Sequence, residues 1–356
     1  MNDIIHKFML VVLAAAISGG LSLAVTAQPV PRPARTPRPN AGDAQPAMPA
    51  PETPEGLKYK DGFKFKYPGG DTSERSIAVA PKVNFTLCVT EGNLKINGWN
   101  RDEVRVYVEG GSKFAFKVID KGSDGKPVWI SAMNTTPRMG MSECIWGGVI
   151  EIDVPVGTTL NLSSKAIQAS IDGVRKATLK TAGGDIMARD VKEGVSATTY
   201  QGDITLEETW GPIDVETTTG NIVVVDSGPS DVGDTFKART NSGAVSLTRV
   251  GHRAMDISSI SGSVSFNGGL KNGGTYGFNT QNGTIRLALP ANTGCKLAAT
   301  FTAGSFVNEL PFKLETENVA PGDMKSIVAR IGAGGDALLK LTTTQGLIGI
   351  RKQENK

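Results

Sequence analysis

The chain has 356 residues, of which 39% are hydrophobic and 21% charged, and its formal net charge is +3 at pH 7. Basic and acidic residues are interspersed along most of the length, so the sequence lacks the basic patch typical of nucleic-acid-binding proteins. The 300 residues that follow Gly56 are enough for one large folded domain.

Residues 1–27 predict a secretory signal peptide. Lys7 makes the start positive, Phe8 to Ile17 is an unbroken apolar run, and Val25-Thr26-Ala27 has the small-residue pattern of a cleavage site. An uncleaved anchor is the alternative, because residues 8–27 are long enough to span a bilayer. The protein would then touch the membrane only through this segment. In both cases we expect export, to the periplasm or to the cell surface or exterior.

Residues 28–56 predict a disordered, proline-rich linker. They hold nine of the 19 prolines and few apolar residues, so they cannot build a core. A basic proline-rich arm could bind a partner, but we favour a spacer that holds the folded part away from the envelope. The folded domain is then 57–356.

The section 57–160 repeats less regularly than the rest, yet alternating apolar residues predict strands in it. These strands are marked by Phe63/Phe65/Tyr67, Val104/Val106/Val108, Val128/Ile130 and Val149 to Ile152. Trp99, Trp129 and Trp146 are candidates to close one end of the domain, since a stack of repeats needs a cap there.

Further along, one phrase recurs: Thr-x-x-Gly-x-(Ile/Val)-x-(apolar). Its glycines are Gly184, Gly202, Gly220, Gly243, Gly262, Gly283 and Gly346. The first six are 18, 18, 23, 19 and 21 residues apart, and the gap of 63 before the last predicts three units of 21. A period near 20 residues indicates stacked supersecondary units.

Each unit has the same physical logic. Glycine allows a turn with positive φ, and the apolar residues that follow it alternate with polar ones, as in a strand with one face in a core. The half-way glycines Gly194 and Gly211 predict two short strands per unit. The threonine or serine three residues before each glycine predicts a ladder of side chains suited to a pleated surface. Gly304 marks a degenerate unit, and Gly92 marks one unit upstream.

The fold class we predict is all-β, a single-domain β-solenoid of strand-turn repeats of about 20 residues. An antiparallel meander or sandwich is the alternative, because the same strands could pair as hairpins. The steady period and the threonine ladder favour the solenoid.

Three segments resemble the bacterial putative-adhesin family, domains of unknown function built from β-strand repeats. They are the stretch from Gly92 to Val104 (GNLKINGWNRDEV), the Gly-x-Ile units, and the closing stretch from Ile331 to Gly346 (IGAGGDALLKLTTTQG). The resemblance covers most of residues 80–352. It implies an exported β-solenoid at the cell envelope with a proposed adhesion role, and it supplies no catalytic residues.

Few residues in the chain suit catalysis. One histidine, His252, follows the signal peptide, and its arginine neighbours favour a solvated loop residue over a catalytic base. A single histidine with scattered cysteines also lacks the ligand spacing of a zinc site. We therefore expect no enzyme activity, no catalytic residue, no cofactor and no metal.

Cys88, Cys144 and Cys295 are the three cysteines. In an oxidising compartment two of them can pair, and all three pairings are allowed. We favour Cys88–Cys144, because both lie in the less regular section, where a cross-link adds most. The chain-entropy model gives such a cross-link about 4 kcal/mol of stabilisation. Cys295 is then expected to be a small buried residue.

Asp185 and Asp203 are the candidates for a cation site. They follow the glycine in successive units, which would place them about 4.8 Å apart and within reach of one calcium ion. The same position later holds Asn221, Ala244 and Ser263, so the acidic run stops after two residues. We favour a series of polar residues that hydrogen-bond within turns.

These observations predict an exported, non-enzymatic β-repeat protein that acts as a binding or adhesion module. Its expected partner is an envelope polysaccharide or a surface protein, with no role for nucleic acid. One alternative is a β-helix polysaccharide lyase or hydrolase, in which carboxylates would converge in a groove. Another is an envelope-stress sensor or accessory protein, which an uncleaved anchor would favour.

Overall fold

A computed structural model describes residues 71–136, 143–318, 320, 324–332 and 335–354. The predicted signal peptide, the linker and the strand at Phe63 to Tyr67 lie outside these residues. Within them every regular element is a β-strand, which confirms the all-β class. The described residues include no helix long and apolar enough to cross a bilayer.

The first section and the start of the repeats contain eight strands. They are β1 (Asp71–Ala78), β2 (Asn84–Trp99), β3 (Glu103–Gly111), β4 (Phe114–Lys121), β5 (Pro127–Asn134), β6 (Val149–Pro155), β7 (Thr159–Asp172) and β8 (Lys176–Gly183). The predicted strands around Val106, Ile130 and Ile150 are β3, β5 and β6.

Eleven strands follow through the regular repeats. They are β9 (Ile186–Arg189), β10 (Val195–Gln201), β11 (Ile204–Glu207), β12 (Ile213–Thr219), β13 (Ile222–Ser227), β14 (Thr235–Ser242), β15 (Val245–Val250), β16 (Ala254–Ser261), β17 (Val264–Asn267), β18 (Thr275–Asn282) and β19 (Ile285–Leu289). The last four are β20 (Cys295–Asn308), β21 (Phe312–Asn318), β22 (Lys325–Ile331) and β23 (Ala337–Lys352).

The repeats stack as rungs of a parallel β-solenoid. Each rung contributes two strands, one to each of two columns. The long column consists of β8, β10, β12, β14, β16 and β18. The short column consists of β9, β11, β13, β15, β17 and β19. Strands pair in parallel with those one rung away, without a register shift: Ala197 lies beside Val215, and Ile204 beside Ile222. The solenoid prediction, with two strands per unit, is confirmed.

One core runs along the inside of both columns. Alternate residues of every strand point inwards, as in the pattern BeBeB of β12 and BiBi of β11. Ile204, Val215 and Val224 are all 0% exposed. Because identical positions stack from rung to rung, the apolar residues that the repeat phrase specifies form one continuous interior.

The glycine of each repeat makes the corner between the two columns. At Gly202, Gly220, Gly243, Gly262 and Gly346 φ lies between +142° and +155°. A Cβ on Gly262 would lie 1.9 Å from the carbonyl oxygen of Gly243 in the preceding rung. Glycine is therefore required twice, by backbone conformation and by the close approach of two corners.

The threonine ladder lies inside the corner and is buried. The hydroxyls of Thr217, Thr240 and Ser259 each donate a hydrogen bond of 2.9 Å to the glycine carbonyl of the preceding rung. The same contact recurs at Thr199, Thr280 and Thr343. We predicted the ladder from the shape of β-branched side chains. Its second role is to satisfy a buried carbonyl that the turn would otherwise leave unpaired.

The C-terminal end of the stack corrects one prediction. The segment between Gly283 and Gly346 does not contain three further units, because β23 pairs directly with β18 and β19, and Gly346 stacks on Gly283. β20, which carries the degenerate Gly304, forms the next rung outwards, on the far side of β23. The hairpin of β21 and β22 then closes this end by antiparallel pairing with β20.

The N-terminal end has the same arrangement. β2, with Gly92 at its corner, lies between β7 on one side and β5 and β6 on the other. The outer rung is then covered by antiparallel strands, β4 on β5 and β3 with β1 on β6. Among the described strands, antiparallel pairing thus occurs at the two ends of the stack. Trp129 belongs to the outer rung but is 42% exposed, so it adds little to closing the end.

Candidate binding surfaces

The two cysteines of the first section form a disulfide. Cys88 lies on β2 and is bonded to Cys144, with 4.6 Å between their Cα atoms. The next residues, Val89 and Ile145, form a parallel bridge that holds the two segments side by side. Cys295 is a free, buried thiol on β20, and burial raises its pKa to about 11.

Asp185 and Asp203 lie at the surface, and each belongs to a turn. A carboxylate oxygen of Asp185 accepts a hydrogen bond of 2.9 Å from the backbone N–H of Asp203, and Asp203 accepts one of 2.7 Å from Asn221. Asn221 continues the series to the N–H of Ala244. The described residues hold no cluster of three or more potential metal ligands. These side chains therefore form a polar series as expected, but their hydrogen bonds join the turns of successive rungs and do not lie within one turn.

His252 is not a solvated loop residue, and that prediction was wrong. Its side chain is 0% exposed, its ring lies 5.4 Å from that of Phe236, and its Nε2 is 2.8 Å from the carbonyl oxygen of Gly211. A carbonyl only accepts, so Nε2 carries the proton and Nδ1 faces the interior without a partner among the described residues. Burial lowers the pKa of His252.

The cause of this burial lies in another rung. The unit from Gly220 to Gly243 is longer than its neighbours, and its extra residues leave the stack between Gly228 and Asp234. Ser230 and Gly233 close this excursion into a tight turn with two backbone hydrogen bonds of 3.1 Å. The imidazole of the following rung therefore reaches back 41 residues to Gly211. The irregular spacing was the only sequence signal of this interruption.

A long regular surface is the outer face of the long column, extended at its ends by β2, β7, β23 and β20. Two outward rows follow the stacking axis. One is Asn161, Thr178, Ser196, Asp214, Lys237, Asp256, Gly277 and Lys340; the other is Ser163, Lys180, Thr198, Glu216, Arg239, Ser258, Asn279 and Thr342. Ten stacked strands extend roughly 43 Å at about 4.8 Å each.

This outer face is flat, polar and of mixed charge. Glu216 lies beside Arg239, and Arg239 donates a hydrogen bond of 2.8 Å to Asp256 in the next rung, which raises the pKa of the arginine. Hydroxyl and amide groups occupy most other positions. Such a face offers donors and acceptors at regular intervals along one axis, while its alternating charges do not form a basic stripe for nucleic acid.

A family model described as Toastrack DUF4097 matches residues 83–326, more than half of the chain. The match confirms the resemblance to a domain of unknown function built from β-strand repeats. No curated protein matches the chain. Among solved structures, a putative cell adhesion protein from Clostridium sporogenes ATCC 15579 is similar at 10% identity and a TM-score of 0.22, over 80% of this chain and 100% of that protein.

Proposed function

Since the chain belongs to the Toastrack DUF4097 family, we propose that it is an exported, non-catalytic binding module of the cell envelope. Its partner is an envelope polysaccharide or a surface protein, held along the outer face of the long column. The observation that carries this proposal is the face itself: two straight rows of polar side chains spaced by one strand separation. An extended polymer can contact many equivalent groups on such a surface.

The residues that the sequence singled out as candidates for catalysis or cation binding are engaged in structural contacts. His252 is buried against Phe236 and bonded to a backbone carbonyl, so it cannot reach a substrate as a base. Asp185 and Asp203 accept backbone N–H groups of adjacent turns. These contacts support a binding role over the polysaccharide lyase or hydrolase alternative.

Export has its own support in the disulfide. Disulfides persist in the periplasm and outside the cell, and they are rare where thiols are kept reduced. The Cys88–Cys144 bond fits the first of these environments. The apolar segment at residues 8–27 is the element that would direct the chain there.

The decisive experiment mixes the purified protein with a panel of acidic and neutral polysaccharides, and measures retention and new chain ends in the same samples. We expect retention without cleavage. New chain ends whose formation copurifies with the protein through a second column would refute the non-catalytic assignment. Absence of both signals would redirect the search to a protein partner.

A pair of matched variants locates the surface. Thr198→Arg places a bulky side chain in the middle of the outer face of the long column, whereas Thr205→Arg places the same side chain outwards on the short column. We expect the first to abolish retention and the second to leave it unchanged. Equal binding by both variants would exclude this face as the contact surface.

A further inference from the structure

The interruption of the repeat creates a cleft on the side of the solenoid that connects the short column to the next rung. Its volume is about 430 Å³, and its polar lining comes from Ser230, Asp231, Asp234, Arg253 and Lys271. Residues 228–234 leave the stack between β13 and β14, and the equally long connection 268–274 does so between β17 and β18. Both connections line the cleft, together with Arg253 from the short connection between β15 and β16.

The polar groups in the cleft are held in place, and several of them keep hydrogen-bonding capacity for a ligand. Asp234 accepts two hydrogen bonds from Arg253, one of 2.8 Å from the backbone N–H and one of 2.6 Å from Nε. Burial raises the pKa of Asp234, but these bonds outweigh it and keep that pKa below its usual value. The terminal guanidinium nitrogens, the Lys271 ammonium and the Asp231 carboxylate have no hydrogen bond or ion pair among the described residues.

An aromatic side chain flanks the same segment. The indole of Trp210 is 41% exposed and packs against Gly228, where an added Cβ would lie 2.9 Å from the ring. Gly228 directly precedes Pro229, which lines the cleft. Parallel pairing of Trp210 with Gly228, and a 2.8 Å hydrogen bond from its N–H to Val191, fix the backbone that carries the ring.

These features select one ligand class. The indole of Trp210, one rung before the cleft, offers an exposed apolar platform for a flat ring, and the donors and acceptors of the cleft beyond Pro229 can take hydroxyl groups. The two acidic residues, Asp231 and Asp234, are balanced by Arg253 and Lys271, so the cleft has no net charge to attract an ion.

We propose that Trp210 and this cleft together bind two neighbouring sugar units of a neutral polysaccharide. One sugar ring stacks on Trp210, and the hydroxyls of the next unit bond to Asp231, Arg253 and Lys271. In naming a saccharide, this inference rests on the proposed function. It concerns a different surface from the outer face of the long column, so the two can fail separately.

The test measures binding of neutral and acidic oligosaccharides to the full protein by titration calorimetry. Loss of an aromatic contact weakens binding by about 2- to 13-fold beyond the apolar area it buries, so we expect Trp210→Ala to lose about tenfold in affinity. Tyr200→Ala is the matched control, because Tyr200 is 62% exposed on a different corner. Trp210→Phe should retain most of the binding, and thermal unfolding of each variant checks its fold.

The outcomes separate the two proposals. Equal affinity of Trp210→Ala and the unchanged protein, with loss in Thr198→Arg, would overturn the cleft and leave the binding function standing. A preference for acidic over neutral sugars would overturn the proposed ligand class. If no saccharide binds, both the cleft inference and the polysaccharide form of the proposed function are wrong.

Discussion

The corner glycines allow a sharp test of how this solenoid is held together, and Gly262 is the best position for it. Alanine at this site must adopt φ near +155°, which costs a non-glycine residue about 1–3 kcal/mol. Its Cβ would also lie 1.9 Å from the Gly243 oxygen and 3.0 Å from the Ser259 hydroxyl. The first contact is with backbone, so only a shift of one rung against the next relieves it.

The two effects together place Gly262→Ala among the most damaging single substitutions, at about 4 kcal/mol or more. For a domain of this size, 4 kcal/mol lowers the midpoint of thermal unfolding by about 6 °C. Circular dichroism at a strand wavelength measures the midpoint, and urea unfolding gives the free energy.

Gly277→Ala is the matched control. Gly277 lies within β18, and an added Cβ there would be 3.7 Å from its closest neighbour, an ordinary contact. We expect that variant to unfold within about 0.5 kcal/mol of the unchanged protein. If the two alanine variants differ by less than about 1 kcal/mol, the corners do not control the stacking and this account of the repeat is wrong.

Three further outcomes follow from buried groups. Thr240→Val should lower the free energy of unfolding in urea by about 1–3 kcal/mol, since it leaves the Gly220 carbonyl unpaired, while Thr240→Ser should lose less. Burial lowers the pKa of His252 in the folded protein below the unfolded value of about 6.5, so the stabilisation from the neutral imidazole is complete above that pH and is lost as the pH falls. When the free energy of unfolding in urea is measured at pH 7.5 and at pH 5, His252→Gln should lose less stability between the two pH values than the unchanged protein. Cys295 should resist iodoacetamide at pH 8 until the chain unfolds, and rapid labelling of the folded protein would contradict its burial.

The regular rungs could be predicted because their determinants are local. A glycine, an apolar residue two positions later and a hydroxyl three positions earlier lie within a few residues of each other, so a reader of the sequence sees each complete turn. The burial of Thr240 beneath the corner follows from the same spacing. Pairing between rungs then needs only the assumption that equal phrases stack.

The features that escaped prediction depend on distant partners. His252 is buried because extra residues in the preceding rung open a gap, and its ring crosses that gap to Gly211, 41 residues earlier. The neighbouring residues Arg249 and Arg253 give no indication in the sequence that His252 is buried. The cleft had one visible signal, the long spacing between Gly220 and Gly243, which shows where the repeat is interrupted but not which side chains meet there.

The strand order at the two ends of the stack could not be predicted for a related reason. At the C-terminal end the chain passes over one rung position and returns to fill it with β23. At the N-terminal end it moves outwards from β2 to β5 and β6 and then crosses the β2 rung to reach β7. Sequence order and stacking order therefore differ at both ends. The long gap between Gly283 and Gly346 is compatible with three units, and nothing local distinguishes three rungs from two rungs and a hairpin. Only the pairing of β23 with β18 on one side and β20 on the other decides between them.

This difference between sequence order and stacking order has a consequence for the order in which the last strands fold. Apart from the hairpin strand β22, the one neighbour of β20 among the described strands is β23, which pairs with it from Cys295 to Asn308. β20 precedes β23 in sequence but has no other parallel surface on which to dock. We therefore expect β23 to dock on β18 and β19 first, a step that closes the long loop from Leu289 to Ala337 and is correspondingly slow. Pulse-labelled hydrogen exchange during refolding should protect the amides of β23 no later than those of β20. Protection of β20 while β23 still exchanges freely would show that the end of the stack forms as a separate unit and is joined to the rungs afterwards.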